Sequence, residues 1–246
     1  MIEKDLGIVL KRINFRETSL IVSLFTRRFG KISGILKGFY SSKKEFTASM
    51  DIFSLNEFVF YPKRSTLWLV SFADLVRDFS YLRNDLEKNC VACKFIDTVN
   101  HVLPLWDRNE NIFLLLNAFL DYFVSIESRK ALYIFFIKFL NLYGLRPHFN
   151  ACVKCHKELN RDFFFSASCG GLLCNRCKHE YNDSEPVTAE AAATILYIQN
   201  AGFPQVLRIN PTLKCEEEIS GLLNGFLSHH LHPNLLGKWM TADYKR

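Results

Sequence analysis

The pattern of apolar and polar positions changes once along the chain, near Tyr81. Before that point, short runs rich in leucine and β-branched residues alternate with turn-forming residues. The runs are Leu6–Ile13, Leu20–Thr26, Ile32–Lys37, Ile52–Tyr61 and Thr66–Phe72, and each has the length and composition of a strand. Asn14-Phe15-Arg16-Glu17 separates the first two, and Arg27-Arg28-Phe29-Gly30-Lys31 turns into the third. Pro62-Lys63-Arg64-Ser65 makes the last two a hairpin, and one longer connection spans Gly38–Met50. Five short strands in so few residues predict a small closed barrel, because closure removes exposed edges. An OB-fold has this number of strands; an SH3-like barrel is the second candidate.

From Tyr81 onward the period is helical. Ile112, Leu115, Leu116, Phe119, Leu120 and Phe123 recur at helical spacing, as do Leu132, Phe135, Phe136, Phe139, Leu140 and Tyr143. Ser128 is placed to cap the second of these helices, with Gly144 and Pro147 as its stop. Thr188 is a cap for a helix ending near Gly202. Thr212 starts another, with Ile219, Leu222, Leu223, Phe226 and Leu227 as its stripe. The expected fold class is therefore α+β: a five-stranded OB-fold barrel over residues 1–80, then a helical domain over 81–246. A cysteine-rich module at about 149–184 interrupts that helical domain.

The module holds the strongest chemical signal. Cys152-Val153-Lys154-Cys155 and Cys174-Asn175-Arg176-Cys177 are two C-x2-C units separated by 18 residues. Each unit lets one tight turn aim two thiolates at one ion, and two units complete a tetrahedral shell. Cys152, Cys155, Cys174 and Cys177 are thus the expected ligands of one structural zinc ion per chain. Such a site has no open coordination position and fixes a loop rather than activating water. Gly170-Gly171 suits a tight hairpin before the second unit. Cys169 belongs to neither unit, and His156 and His179 are expected at the surface. Cys90 and Cys93 share the same spacing, but their surroundings are helical, so they read as a packed helix face.

Composition and charge refine this picture. With 49% hydrophobic residues and 23 Phe the chain can build real cores. Eight Cys and a charged start, Met1-Ile2-Glu3-Lys4-Asp5, predict a reduced, cytoplasmic protein without a signal peptide. Ile112–Ile126 and Ala131–Leu145 are short for membrane spans and carry Asp121 and Lys138, so they read as buried helices and no membrane association is expected. The net charge of +6 is uneven: residues 1–80 hold 13 Lys and Arg against 8 Asp and Glu, whereas the remainder holds 18 against 17. The excess falls on the barrel, which favours a polyanionic partner.

Within the barrel the cations cluster at predicted loops and strand ends: Lys11, Arg12, Arg27, Arg28, Lys31, Lys37, Lys43, Lys44, Lys63 and Arg64. These are the candidate nucleic-acid contacts. OB-type barrels bind single strands by pairing a positive groove with aromatic platforms, and Phe29 and Tyr40 are the expected platforms here. No catalytic constellation is present: there is no phosphate-cradling glycine loop before a helix, no H-E-x-x-H and no G-x-S-x-G. Glu216-Glu217-Glu218 suits a helix start, and His229, His230 and His232 read as helix-end residues. The protein is not expected to be an enzyme.

Several motifs then resemble one family. Gly7-Ile8-Val9-Leu10, Glu17-Thr18-Ser19-Leu20-Ile21-Val22, Thr26-Arg27-Arg28-Phe29-Gly30-Lys31 and Lys37-Gly38 are similar to the opening of the RecO family of bacterial DNA repair proteins. Tyr143-Gly144-Leu145-Arg146-Pro147, Cys152-Val153-Lys154-Cys155, Phe165-Ser166 and Gly170-Gly171-Leu172-Leu173-Cys174 follow in the family's order, so the resemblance spans essentially the whole chain. It implies a DNA-binding recombination mediator that binds single- and double-stranded DNA and anneals complementary strands. With RecR, such proteins help RecA replace single-strand-binding protein, whose acidic C-terminal tail they contact. A bacterial cytoplasmic, nucleoid-associated location follows. Cys169 departs from the pattern and leaves a ligand swap open. The alternatives are a zinc-containing OB-fold RNA-binding adaptor and a hydrolytic nucleic-acid enzyme; the missing carboxylate cluster argues against the latter.

Overall fold

The computed structural model describes residues 2–41, 50–62, 65–159 and 162–231. The chain forms two compact units, Met1–Ser125 and Ile126–Arg246. In the first, β1 (Glu3–Phe15), β2 (Ser19–Thr26), β3 (Gly30–Leu36), β4 (Leu55–Tyr61) and β5 (Leu67–Arg77) close a barrel in the order β1-β2-β3-β5-β4. β4 pairs back onto β1, and β3 and β5 are the one parallel pair among the named strands. This is the OB order, so the SH3-like alternative is set aside. Val9, Leu20, Val22, Leu24, Ile32, Leu36, Phe58, Phe60, Trp68 and Val70 fill the interior.

Several strand ends differ from the sequence pattern, three of them for a clear local reason. β1 runs through Asn14 and Phe15, because Phe15 still pairs with Ser19 across a turn in which Arg16 takes φ 55°. β5 runs on to Arg77, paired with Leu55. β4 starts at Leu55 rather than Ile52, because Phe53 turns the chain at φ 81° with its ring buried.

The same unit contains α1 (Ser80–Asn84), α2 (Leu86–Val102) and α3 (Glu110–Tyr122). Asp85 caps α2 by accepting the Lys88 N–H at 3.0 Å, and Asn109 caps α3 by accepting that of Ile112 at 3.0 Å. The predicted stripe of α3 is buried, and Phe113 meets the barrel at Phe25 with ring centroids 5.9 Å apart. Asp121, the charge inside the first apolar stretch, is held by Arg77. Among the described residues no helix is long and apolar enough to cross a membrane.

The second unit packs α4 (Ser128–Tyr143) against α5 (Ala189–Asn200) and α6 (Leu213–His230). A three-stranded sheet of β6 (Phe163–Ser166), β7 (Gly171–Cys174) and β8 (Glu185–Val187), in the order β7-β6-β8, lies between α4 and α5 in the chain. That sheet was not legible in the cysteine-rich stretch, whose strands are only three or four residues long. Glu127, not Ser128, caps α4: its carboxylate accepts the N–H groups of Arg129 and Lys130, leaving Ser128 as the first helical residue. Thr188 and Thr212 cap as expected. Their caps are also cross-braced, since Glu218 accepts both the N–H and hydroxyl of Thr188, and Glu190 does the same for Thr212. The glutamate run thus ties helix starts together as well as complementing a dipole; Glu216 in addition accepts the hydroxyl of the buried Tyr133 at 3.1 Å.

Candidate metal centre and nucleic-acid face

The two C-x2-C units form two turns that face each other. In the first, the His156 N–H donates to the Cys152 carbonyl at 2.8 Å, with His156 itself at φ 58°. In the second, the Cys177 N–H donates to the Cys174 carbonyl at 3.0 Å. The Val153 N–H donates to the Leu172 carbonyl at 2.9 Å, which fixes the first turn to β7 just before the second. The four sulfur atoms of Cys152, Cys155, Cys174 and Cys177 all lie within 4.8 Å of one another. The Sγ atoms of Cys155 and Cys174 are 3.9 Å apart.

Their protonation is unequal. Burial opposes ionisation of Cys152, but backbone N–H groups of Cys155, Cys174 and Lys154 outweigh it and bring the thiol down to about 6. The Cys174 thiol is also lowered, chiefly by the Cys177 backbone N–H. Cys177 is pushed up to about 12 by burial and by its hydrogen bonds to the other three sulfurs. Four thiols this close cannot all ionise unless a cation balances them, so the cluster could hold a metal ion.

Cys169 packs beside this group but is not one of the four. His156 and His179 are exposed. Asp183, which sequence reasoning did not single out, accepts hydrogen bonds from Ser166 Oγ, Ser168 N and Ser168 Oγ, all at 2.8 Å. It thereby holds the turn between β6 and β7 that delivers Cys174. Cys90 and Cys93 lie half-buried on α2, as the helical pattern predicts.

The barrel cations fall into three groups. Lys11 and Lys37 are exposed and form no ion pair with a described residue. Arg12 and Arg27 form pairs that are open to water: Arg12 Nη1 with Asp51 Oδ1 at 2.7 Å, and Arg27 with Glu110 Oε1 at 2.7 Å. Arg28 and Lys31 each also bond a main-chain carbonyl, Arg28 with its side chain still exposed and Lys31 half-buried. The Arg28 N–H donates to the buried Asp5 carboxylate at 2.7 Å, while its guanidinium donates to the Lys4 carbonyl at 2.6 Å. Lys31 Nζ donates to the Asn100 carbonyl at 2.5 Å. That carbonyl is in the last turn of α2, where no helical N–H remains to pair with it, so the ammonium both satisfies it and complements the helix dipole. Burial lowers the pKa of Lys31. Lys43, Lys44, Lys63 and Arg64 lie outside the described residues.

The two expected platforms differ. Tyr40 is 45% exposed; its hydroxyl donates to Asn14 Oδ1 at 2.8 Å and accepts from Arg12 Nη2 at 3.3 Å. Phe29 is instead partly buried against the barrel core, edge-on to Trp68 at 5.5 Å, because the turn that carries it folds back over the barrel end. A further aromatic, Trp106, lies beside β3 from a loop about 75 residues away in sequence; its N–H donates to the Lys31 carbonyl at 2.8 Å.

The fold is thus a closed OB barrel accompanied by a helical unit that carries a four-thiol cluster. Comparison with known families is more specific. The family model described as Recombination protein O N terminal matches residues 1–79, and that described as Recombination protein O C terminal matches residues 83–238. The DNA repair protein RecO of Caldanaerobacter subterraneus is 26% identical over 96% of this chain and 95% of its own. The RecO of Alkaliphilus metalliredigens is 29% identical over 94% of each, and that of Acetivibrio thermocellus 28% over 94% of this chain and 92% of its own. The chain belongs to the RecO family, whose general role is in DNA repair and recombination.

Proposed function

We propose that this protein is a DNA-binding recombination mediator, not an enzyme, working in the cytoplasm at the nucleoid. It binds single- and double-stranded DNA through the barrel and anneals complementary strands. With RecR it helps RecA displace single-strand-binding protein, whose acidic tail it contacts. The observation that carries this reading is an OB barrel, in a chain of this family, whose exposed Lys11 and Lys37 form no ion pair with a described residue and whose Arg12 and Arg27 pairs are at least partly open to water. Exposed pairs contribute only about 0–1 kcal/mol, so phosphates can take over these arginines. Lys43, Lys44, Lys63 and Arg64 add to the same charge. Neutralising phosphates on two strands lowers their mutual repulsion while bases pair.

In the second unit, Cys152, Cys155, Cys174 and Cys177 hold one structural zinc ion. A tetrahedral thiolate shell around zinc has edges of about 3.8 Å, which the 3.9 Å Cys155–Cys174 separation fits. Zinc would supply the balancing charge that keeps all four thiolates ionised and would cross-link the two turns.

The test is annealing of complementary strands precoated with single-strand-binding protein. Faster annealing that declines steeply with salt is the expected result; no acceleration, or indifference to salt, refutes the reading. Competition between single-stranded DNA and RNA separates it from an RNA-binding adaptor, and labelled DNA recovered intact after incubation with magnesium or manganese excludes hydrolysis.

A further inference from the structure

The segment joining α2 to α3 runs along the start of β3. Leu105 forms an isolated parallel bridge with Lys31, the Trp106 N–H donates to the Lys31 carbonyl at 2.8 Å, and the Asp107 carbonyl closes over Gly30. Main-chain contacts therefore fix this loop onto the barrel wall.

Trp106 stands at its centre. The side chain is 46% exposed, against 8% for Trp68 inside the barrel. Among the described residues its indole has no ring or hydrogen-bond partner. Its backbone lies at φ 63°, a region unfavourable for a bulky side chain. Phe53 and Phe79 also have positive φ, but their rings are buried, and packing offsets the conformation. No comparable burial offsets it at Trp106. An exposed, strained aromatic held by its own main chain is a sign of function. Two cations lie on or against the same segment: Arg108, two residues on, is exposed beside the half-buried Asp107, and Arg27 reaches Glu110 in an exposed pair.

We propose that Trp106 is a stacking platform for an unpaired base of a single strand bound along β3, with Arg108 and Arg27 meeting the adjacent phosphates. This deepens the DNA-binding reading and rests on it. Stacking on an aromatic needs a base free of its own stack, so the platform favours single strands over duplex while tolerating any sequence. A protein partner would be the rival occupant, but the surrounding cations and the OB wall favour a nucleic-acid strand.

The experiment measures binding of the full chain to a labelled oligothymidine and to a duplex of equal length, for the wild type, Trp106→Ala and Trp106→Phe. Trp106→Ala is expected to weaken single-strand binding between about 5-fold and about 150-fold, to change duplex binding less than about twofold, and to melt as the wild type does. Trp106→Phe should restore most of the affinity while losing part of the fluorescence quenching that the strand causes in the wild type. If the alanine variant fails to fold, the phenylalanine variant's lost quench decides the matter. Unchanged single-strand affinity in the alanine variant, an equal loss on duplex, or an undiminished quench in the phenylalanine variant overturns the proposal. Loss of a protein interaction alone would reassign the residue and overturn it too. A wild type that binds neither nucleic acid refutes the DNA-binding reading itself, an outcome distinct from failure at Trp106.

Discussion

Gly30 lies directly beneath the backbone carbonyl of Asp107, so close that a Cβ at Gly30 would overlap the oxygen. The glycine also sits at φ +69°, where an L side chain is strained in any surroundings. The approach is what lets the α2–α3 segment lie on β3. Gly30→Ala should destabilise the barrel unit by more than about 2 kcal/mol, combining the left-handed penalty with displacement of the loop. Gly144→Ala provides the scale: φ is +86° there, but nothing lies within 4 Å of the new methyl, so about 1 kcal/mol is expected. Urea unfolding of the two variants checks the difference.

The thiol cluster predicts a specific stoichiometry. Native mass measurement should find one zinc per chain in the wild type, none in Cys174→Ser, and one in Cys169→Ser, because Cys169 lies outside the group of four. Chelation should lower the melting temperature of the second unit. Retention of zinc by Cys174→Ser with unchanged melting would count against the assignment.

Asp183 predicts an acid dependence. Burial opposes its ionisation, yet the hydrogen bonds from Ser168 and Ser166 outweigh burial and hold its pKa below 3.8. The folded state therefore binds this proton less readily than the unfolded one. The resulting stabilisation is fully present above the unfolded value and is lost as pH falls through the lower folded value. Asp183→Asn should cost about 1–3 kcal/mol at neutral pH, and the gap to wild type should narrow below about pH 3.8. Chemical denaturation at pH 7, 4 and 3 measures it; a gap independent of pH argues against the carboxylate's role.

The cation groups predict different responses to salt. Lys11→Gln and Lys37→Gln should each reduce the slope of log affinity against log salt by about 0.7 on single strands, the amount expected for one phosphate contact. Lys31→Met should leave the slope nearly unchanged and instead cost about 1–2 kcal/mol of stability, because its ammonium caps the end of α2. A full slope change at Lys31 with unaltered stability would reverse that ordering.

Much of the architecture was already written locally. Five strand runs, the α3 and α4 stripes, the Thr188 and Thr212 caps and the Gly144 stop each depend on a few neighbouring residues, whose period or backbone preference acts over one or two turns. The two C-x2-C units belong to the same category, since the turn that aims each thiolate pair is four residues long. Where local signals nearly balance, the reading shifted by a residue or more: Glu127 took the cap from Ser128 because a carboxylate there reaches two N–H groups. The three-stranded sheet beside the cysteines escaped because its strands are too short to carry a period.

What the chain alone determined, then, is which segments become the barrel strands and the longer helices and which thiols are spaced to share an ion. Only the tertiary structure decided that β3 runs parallel to β5, that Phe29 packs inward, and which cations are free. Lys31 and Asn100 are 69 residues apart, and Arg27 and Glu110 are 83 apart. No pattern within one element encodes such meetings, because an ion pair or a cap depends on which distant oxygen the fold brings within about 3 Å. The same holds for Trp106, which joins the barrel only because Gly30 lets a loop from beyond α2 lie against β3.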